Sequence, residues 1–156
     1  AVPSGNAMAA LALARLSRVT SGTVWEKQLE TLFQSVSQEI SLNPSGHAQM
    51  LVAFDFALGP GSEIVLTAGE GDAHKVQDIA DSIYQHFIPN KVLLWHPASG
   101  DDKEAVESLA PFVKNQLSFN GQPTVYVCEN RTCQLPVTEL SKLEAVLKDL
   151  AGRKKN

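Results

Sequence analysis

Glu63-Ile64-Val65-Leu66-Thr67 is a short β-rich run, and Lys91-Val92-Leu93-Leu94-Trp95 is a second one. Between them Val76, Ile79, Ala80, Ile83 and Phe87 recur at helical spacing, which predicts a helix over 73–88 with that stripe buried. Ala68-Gly69-Glu70-Gly71 ends the first run, Asp72 is placed to N-cap the helix, and Pro89-Asn90 ends it. A βαβ unit of this length requires parallel pairing with a right-handed crossover. Ile64, Val65 and Leu66 form an apolar run without alternation, as a strand covered on both faces requires. The first strand is therefore expected at the centre of its sheet.

Downstream, Pro97 to Asp102 reads as a loop and 104–116 as a helix with Val106, Leu109, Ala110 and Val113 inward. Thr124-Val125-Tyr126-Val127-Cys128 is a third strand, and a fourth is expected over 133–136 after a tight connection at Asn130-Arg131. Thr138 is placed to cap a last helix over 139–150, whose stripe is Leu140, Leu143, Val146, Leu147 and Leu150. Gly152 stops it, and Arg153-Lys154-Lys155 reads as a solvated tail. The order β-α-β-α-β-β-α, with Pro123 just before the third strand, looks like a thioredoxin-type fold. The expected sheet is mixed and four-stranded, in order 2-1-3-4, with helices 73–88 and 139–150 on one face and 104–116 on the other. A thioredoxin's reactive Cys-x-x-Cys would follow the first strand, where this chain has Gly69-Glu70-Gly71-Asp72.

Upstream the pattern is helical. Ala7 to Leu13 contains only Ala, Met and Leu, with Arg15 and Arg18 after it rather than before, unlike a signal peptide. A helix apolar on nearly every face belongs inside a helical assembly. With no initiator methionine, the chain is expected to start partway through a larger helical domain. Trp25, Leu29, Leu32, Phe33, Val36 and Ile40 form the stripe of a second helix, broken at Asn43-Pro44-Ser45-Gly46. A third helix is expected to bury His47, Leu51, Phe54 and Leu58. Gly59-Pro60-Gly61-Ser62 is the expected boundary between a helical segment, 1–59, and an α/β domain, 60–156.

The 156 residues carry 13 Lys+Arg against 17 Asp+Glu, a formal charge of −4. That balance, with no long basic run, lacks the footprint of a nucleic-acid binder. No apolar stretch approaches the ~20 residues that span a bilayer, so no membrane partner is expected and the expected location is cytoplasmic. Two cysteines are too few for a disulfide scaffold or a four-thiolate zinc site.

Cys128 and Cys133 form a C-x4-C pair across the predicted hairpin. A two-residue turn would set Glu129 opposite Thr132 and Cys128 opposite Cys133 in a non-hydrogen-bonded pair, with Cα atoms roughly 4.5 Å apart. That admits two reduced thiols acting as small hydrophobes, a structural disulfide, or a redox clip. Gly69-Glu70-Gly71-Asp72 sits where phosphate loops sit, but position 74 is His and the acidic residues would repel phosphate, so a capped acidic turn is the better reading. His47, His74, His86 and His96 are scattered and predict no metal site. His96 and Gly69 lie at the C-terminal edge of the parallel strands, where ligands bind in open α/β sheets, and are the candidate ligand edge. Asn130-Arg131-Thr132 matches a glycosylation sequon. No G-x-S-x-G, H-E-x-x-H or Walker sequence is present, so no catalytic residue and no cofactor is assigned.

Pro3-Ser4-Gly5-Asn6-Ala7, Leu51 to Pro60 (LVAFDFALGP), Phe87-Ile88-Pro89-Asn90 and above all Tyr126 to Val137 (YVCENRTCQLPV) carry a resemblance. Together they resemble the C-terminal end of thioredoxin-domain proteins of the YyaL type, related to the mammalian spermatogenesis-associated thioredoxin-like family. The resemblance implies a parent with a thioredoxin-like domain, an α/α toroid of the six-hairpin glycosidase and sugar-epimerase type, and a terminal α/β segment. This chain would hold the last toroid helices and that segment. Its partners would be the missing thioredoxin-like and barrel portions. Ser4 and Asn6 would line the mouth of the complete barrel, or serve in N-capping. The function expected is that of a non-catalytic fragment supporting a barrel linked by analogy to carbohydrate chemistry. The alternatives are a thiol/redox module using Cys128 and Cys133, or a small-ligand α/β module.

Overall fold

The computed structural model describes residues 2–69, 73–129 and 132–152. The Asp72 cap with Glu70 and Gly71, the Asn130-Arg131 connection with its sequon, and the basic tail lie outside the described residues. The chain divides into two units, Ala1–Gly61 and Ser62–Asn156.

The first unit is three helices, α1 (Gly5–Thr20), α2 (Thr23–Leu42) and α3 (Ala48–Leu58), with a 3-10 turn at Pro44–His47. Ser4 begins α1, its Oγ accepting from the Ala7 amide at 3.2 Å. Ala7, Ala10, Leu11 and Ala14 are buried, and these mostly small side chains let α1 approach α2 and α3 closely. Pro44 stops α2 as expected, and Asn43 accepts from the Gly46 amide at 3.2 Å. Leu29, Val36 and Ile40 of the predicted α2 stripe are buried, and Phe33 stacks on Phe54 with ring centroids 3.8 Å apart.

On α3 the buried face differs from the expectation. Met50, Ala53 and Phe56 are inside, while Leu51 is exposed and Leu58 is 78% exposed. Nearly every α3 position is apolar, so spacing alone allows more than one stripe. Packing against α1 selects the face, and Arg18 of α1 closes its end. The Arg18 guanidinium donates through Nη2 to the carbonyls of Phe56 (2.9 Å) and Gly59 (3.3 Å), and lies 5.0 Å from the Phe56 ring centroid. A cation placed there satisfies the last carbonyls of the helix and opposes its dipole.

The second unit is a mixed four-stranded sheet in the order β2-β1-β3-β4. Its strands are β1 (Ser62–Thr67), β2 (Lys91–His96), β3 (Thr124–Glu129) and β4 (Thr132–Cys133). β1 is buried along its whole length and central, parallel to β2 and antiparallel to β3. Both the position and the directions follow from its continuous apolar run and the crossover. Ile64 and Leu66 of β1, with Val125 and Val127 of β3, face α4 (Ala73–Gln85) and α6 (Leu140–Gly152), which bring Ile79, Ile83, Leu143, Leu147 and Leu150 to one core.

Several expected boundaries move. α4 stops at Gln85, so Phe87 is 82% exposed and Ile88 takes its place in the core. The helix expected over 104–116 is α5 (Asp101–Leu109) followed by a 3-10 turn at Pro111–Asn115. Pro111 has no amide proton and disfavours helix at Ala110, so α5 ends before it. Leu109, expected inside, is exposed, whereas Ala110 and Val113 are buried. Leu140 at the start of α6 is likewise exposed. β4 is two residues long instead of reaching 136. Beyond it Gln134 N donates to Val127 O, and Val137 exchanges both backbone bonds with Val125. Leu135 and Pro136 on one strand thus face Tyr126 alone on the other, a bulge at a step where Pro136 has no amide to donate.

Candidate functional site

The pleat gives the sheet of the second unit two unlike faces. Opposite the aliphatic core, register places Glu63, Val65 and Thr67 of β1 beside Val92, Leu94 and His96 of β2 and beside Cys128, Tyr126 and Thr124 of β3. Of these, Glu63, Thr67, His96, Thr124 and Cys128 are buried. Buried polar groups require partners, and on this face Gln116 supplies most of them.

Gln116 follows the 3-10 turn at Pro111–Asn115, its amide donating to Val113 O at 2.8 Å. Its backbone carbonyl accepts from Thr67 Oγ1 at 2.7 Å and faces His96 Nδ1 at 3.1 Å. A carbonyl only accepts, so Nδ1 carries a hydrogen. His96 Nε2 lies 3.1 Å from Glu107 Oε1 on α5, and Lys103 Nζ lies 3.8 Å from the same oxygen. His96 has no exposed surface. The imidazole thus ties the end of β2 to both α5 and the segment after it.

The side chain of Gln116 points the other way. Its Nε2 lies 3.3 Å from Cys133 Sγ and 3.5 Å from Cys128 Sγ. The two sulfurs are joined in a disulfide. Cys128 faces Cys133 and Glu129 faces Thr132. The Gln134-to-Val127 bond makes the cysteine pair a non-hydrogen-bonded one, where facing side chains are closest, and the Cα atoms are 3.9 Å apart. Cys128 is 2% exposed, whereas Cys133 is open to solvent.

Gly69 lies just past Thr67, at the same sheet end as His96, and Ala68 N donates to His96 O at 2.9 Å. A Cβ on Gly69 would come within 2.4 Å of Pro123 N and 2.5 Å of Gly121 O, so the edge there is packed against backbone. Ser4 and Asn6 come together in the first unit, lining with Glu39, His47 and Gln49 an open cleft of about 510 Å³. His86, just past α4, faces α4 through Nδ1, 2.9 Å from Ser82 O, and α6 through Nε2, 3.4 Å from Glu144 Oε2. Among the described residues no group of three His, Cys, Asp or Glu side chains is placed to hold a metal ion, and no helix is long and apolar enough to cross a membrane.

Gln116 is the residue that pattern reading passed over, absorbed into a helix. Pro111 was the available signal that the helix ends early and that a turn delivers Gln116 to the sheet. Asn120-Gly121 was another. Both residues have positive φ, 51° and 68°, and Gln122 N donates to Phe119 O at 3.0 Å, a tight turn that sets the 121–123 backbone against Gly69.

The chain is similar to spermatogenesis-associated protein 20. It is 29% identical to the human protein and 28% identical to the rat protein (Rattus norvegicus), in each case over 147 residues. The mouse protein is 26% identical over the same length. Each alignment covers 94% of this chain and 18% of the relative, so the chain spans less than a fifth of the length of the curated relatives it matches. These similarities support a family relationship with spermatogenesis-associated protein 20. No family model matches the chain. No solved structure matches it.

Proposed function

We propose that the chain acts as a non-catalytic portion of a larger, multidomain protein of the spermatogenesis-associated protein 20 kind. In this reading α1–α3 are helices of an α/α toroid of the six-hairpin glycosidase type. The sheet unit is a thioredoxin-like segment, and the activity of the whole, carbohydrate chemistry included, resides in portions of the parent outside these residues. The same reading makes the protein cytoplasmic. The parent resembles the YyaL-type proteins, and Ser4 and Asn6 stand at the barrel mouth.

The observation that carries the reading is the number of large apolar side chains that the helical unit leaves exposed. While α1 buries Ala7, Ala10, Leu11 and Ala14, it leaves Met8 50% exposed and Leu16 exposed. Val24, Leu42, Val52 and Leu58 are exposed as well. Large apolar patches on soluble proteins mark contact surfaces. The alignment covers only 18% of the relatives' length, and a parent of that length would supply the chain that covers them. The sheet order β2-β1-β3-β4, with helices assigned to both faces, supports the thioredoxin-like part.

Methionine oxidation tests this directly. The chain has two methionines, Met8 half-exposed and Met50 buried at 2%. In the isolated chain peroxide should convert Met8 to the sulfoxide well before Met50. In the full-length gene product Met8 should be as protected as Met50. Equal Met8 oxidation in both forms would refute the proposal.

A further inference from the structure

We propose that Cys128 and Cys133 form a thiol–disulfide exchange site, at which an incoming thiolate attacks Cys133 Sγ and Cys128 is the leaving group, received by the side-chain amide of Gln116. The site lies wholly in the sheet unit and stands apart from the structural role proposed above.

Access fixes the direction, and the Gln116 amide offsets the cost of the charge that leaves on Cys128. Exchange requires access to the sulfur attacked, and Cys133 is open to solvent while Cys128 is 2% exposed. The sulfur that leaves must carry a negative charge, and burial by itself disfavours a thiolate at Cys128. Gln116 Nε2, 3.5 Å from Cys128 Sγ and 3.3 Å from Cys133 Sγ, offers N–H donors to whichever sulfur takes the charge. Hydrogen bonds to an ionised acceptor are stronger than those to a neutral one, so the contact strengthens as the disulfide opens.

The step balances as follows. The thiolate of a reductant forms a bond to Cys133 Sγ, the Cys128–Cys133 bond breaks, and its electron pair stays on Cys128 Sγ. With a dithiol reductant, its second thiolate attacks its own sulfur in the mixed disulfide, closing the oxidised reagent and releasing Cys133 as a thiolate. Both cysteine thiolates then take protons from solvent. Two electrons pass from the dithiol to the protein.

Gln116 also holds Thr67 and His96 through its backbone carbonyl, at 2.7 and 3.1 Å. It therefore joins the exchange site to the hydrogen-bonded end of the sheet and acts as a positioning residue for the sulfurs.

The test is adduct mapping on the unaltered chain. The air-oxidised protein is treated with 2-mercaptoethanol, quenched in acid, blocked with N-ethylmaleimide and cut with trypsin. Trypsin cleaves after Lys114, Arg131 and Lys142, which puts the two cysteines on separate peptides. Mercaptoethanol on the 132–142 peptide with maleimide on the 115–131 peptide is the expected result. Adduct on Cys128, an even split, or two free thiols in the air-oxidised chain would overturn the proposal. In a second measurement, Gln116→Glu replaces a donor by a carboxylate and should slow reduction by dithiothreitol about tenfold, the scale of one hydrogen bond to a charged group. That deficit, taken relative to the unaltered chain, should shrink as pH falls and the new carboxyl is protonated. An unchanged rate removes Gln116 from the mechanism. Should the variant fail to fold, the adduct map still decides the direction of attack.

Discussion

Thr67 and His96 are partners in the β1–β2 ladder, and both deliver their side chains to one acceptor, the backbone carbonyl of Gln116. The carbonyl has two lone pairs and both are used. Thr67→Val removes one donor and leaves the other, and should cost about 1 kcal/mol of stability in urea unfolding. His96→Leu leaves both the carbonyl and the Glu107 carboxyl with a partner missing, and should cost about 2–4 kcal/mol. Equal losses for the two variants would contradict a contribution from the His96–Glu107 contact.

Gly69 tests the packing at the same sheet end. Its absent Cβ leaves room for the backbone of Gly121, Gln122 and Pro123, which a methyl group would meet at 2.4–2.5 Å. Gly69→Ala should therefore destabilise by about 1–3 kcal/mol through overpacking. At Gly5, where a Cβ would meet nothing within 4 Å, Gly5→Ala should leave the thermal midpoint unchanged or raised.

Phe87 and Ile88 exchange the roles that helical spacing suggests. Ile88→Ala should cost about 2–4 kcal/mol, as loss of a buried aliphatic side chain does. Phe87→Ser should change stability by no more than about 0.5 kcal/mol, being a surface substitution. Chemical denaturation of the two variants side by side measures the contrast, and a larger loss for Phe87→Ser would put the end of α4 elsewhere.

Alkaline pH should act on stability through Lys91 and Tyr126 in opposite senses. Burial lowers the Lys91 ammonium from its ordinary 10.5, and its Nζ donates to His86 O at 3.2 Å. Between its folded value and 10.5 the unfolded chain binds more protons at this group, so its contribution improves as pH rises through that window. Burial raises the Tyr126 phenol above its ordinary 10.0, and its hydroxyl donates to Leu117 O. From 10.0 up to its folded value the folded chain holds the proton longer, so this contribution is lost as pH rises. Tyrosine absorbance should titrate with a delayed component that Tyr126→Phe removes. The stability of that variant should fall off less steeply above pH 10.0 than that of the unaltered chain.

What was legible in the sequence is what local chemistry dictates. Ile64-Val65-Leu66 has no polar face to offer solvent, so β1 is central, and the length of the connection to Lys91 forces parallel pairing. The Cys128–Cys133 register followed from the spacing of a hairpin, and the α2 stripe from its 3.6-residue period. Tertiary structure decided the matters on which local chemistry is degenerate. On α3 almost every side chain is apolar, so only packing against α1 selects Met50, Ala53 and Phe56 over Leu51 and Leu58. Tertiary packing likewise buries Ile88 and leaves Phe87 outside, because both are hydrophobic and the chain turns between them. Gln116 shows the limit most plainly. Its carbonyl and side chain meet Thr67, His96 and the two cysteines, residues 12 to 49 positions away along the chain. No local pattern encodes such a meeting, because hydrogen-bond partners brought together by folding impose no period on the sequence that supplies them.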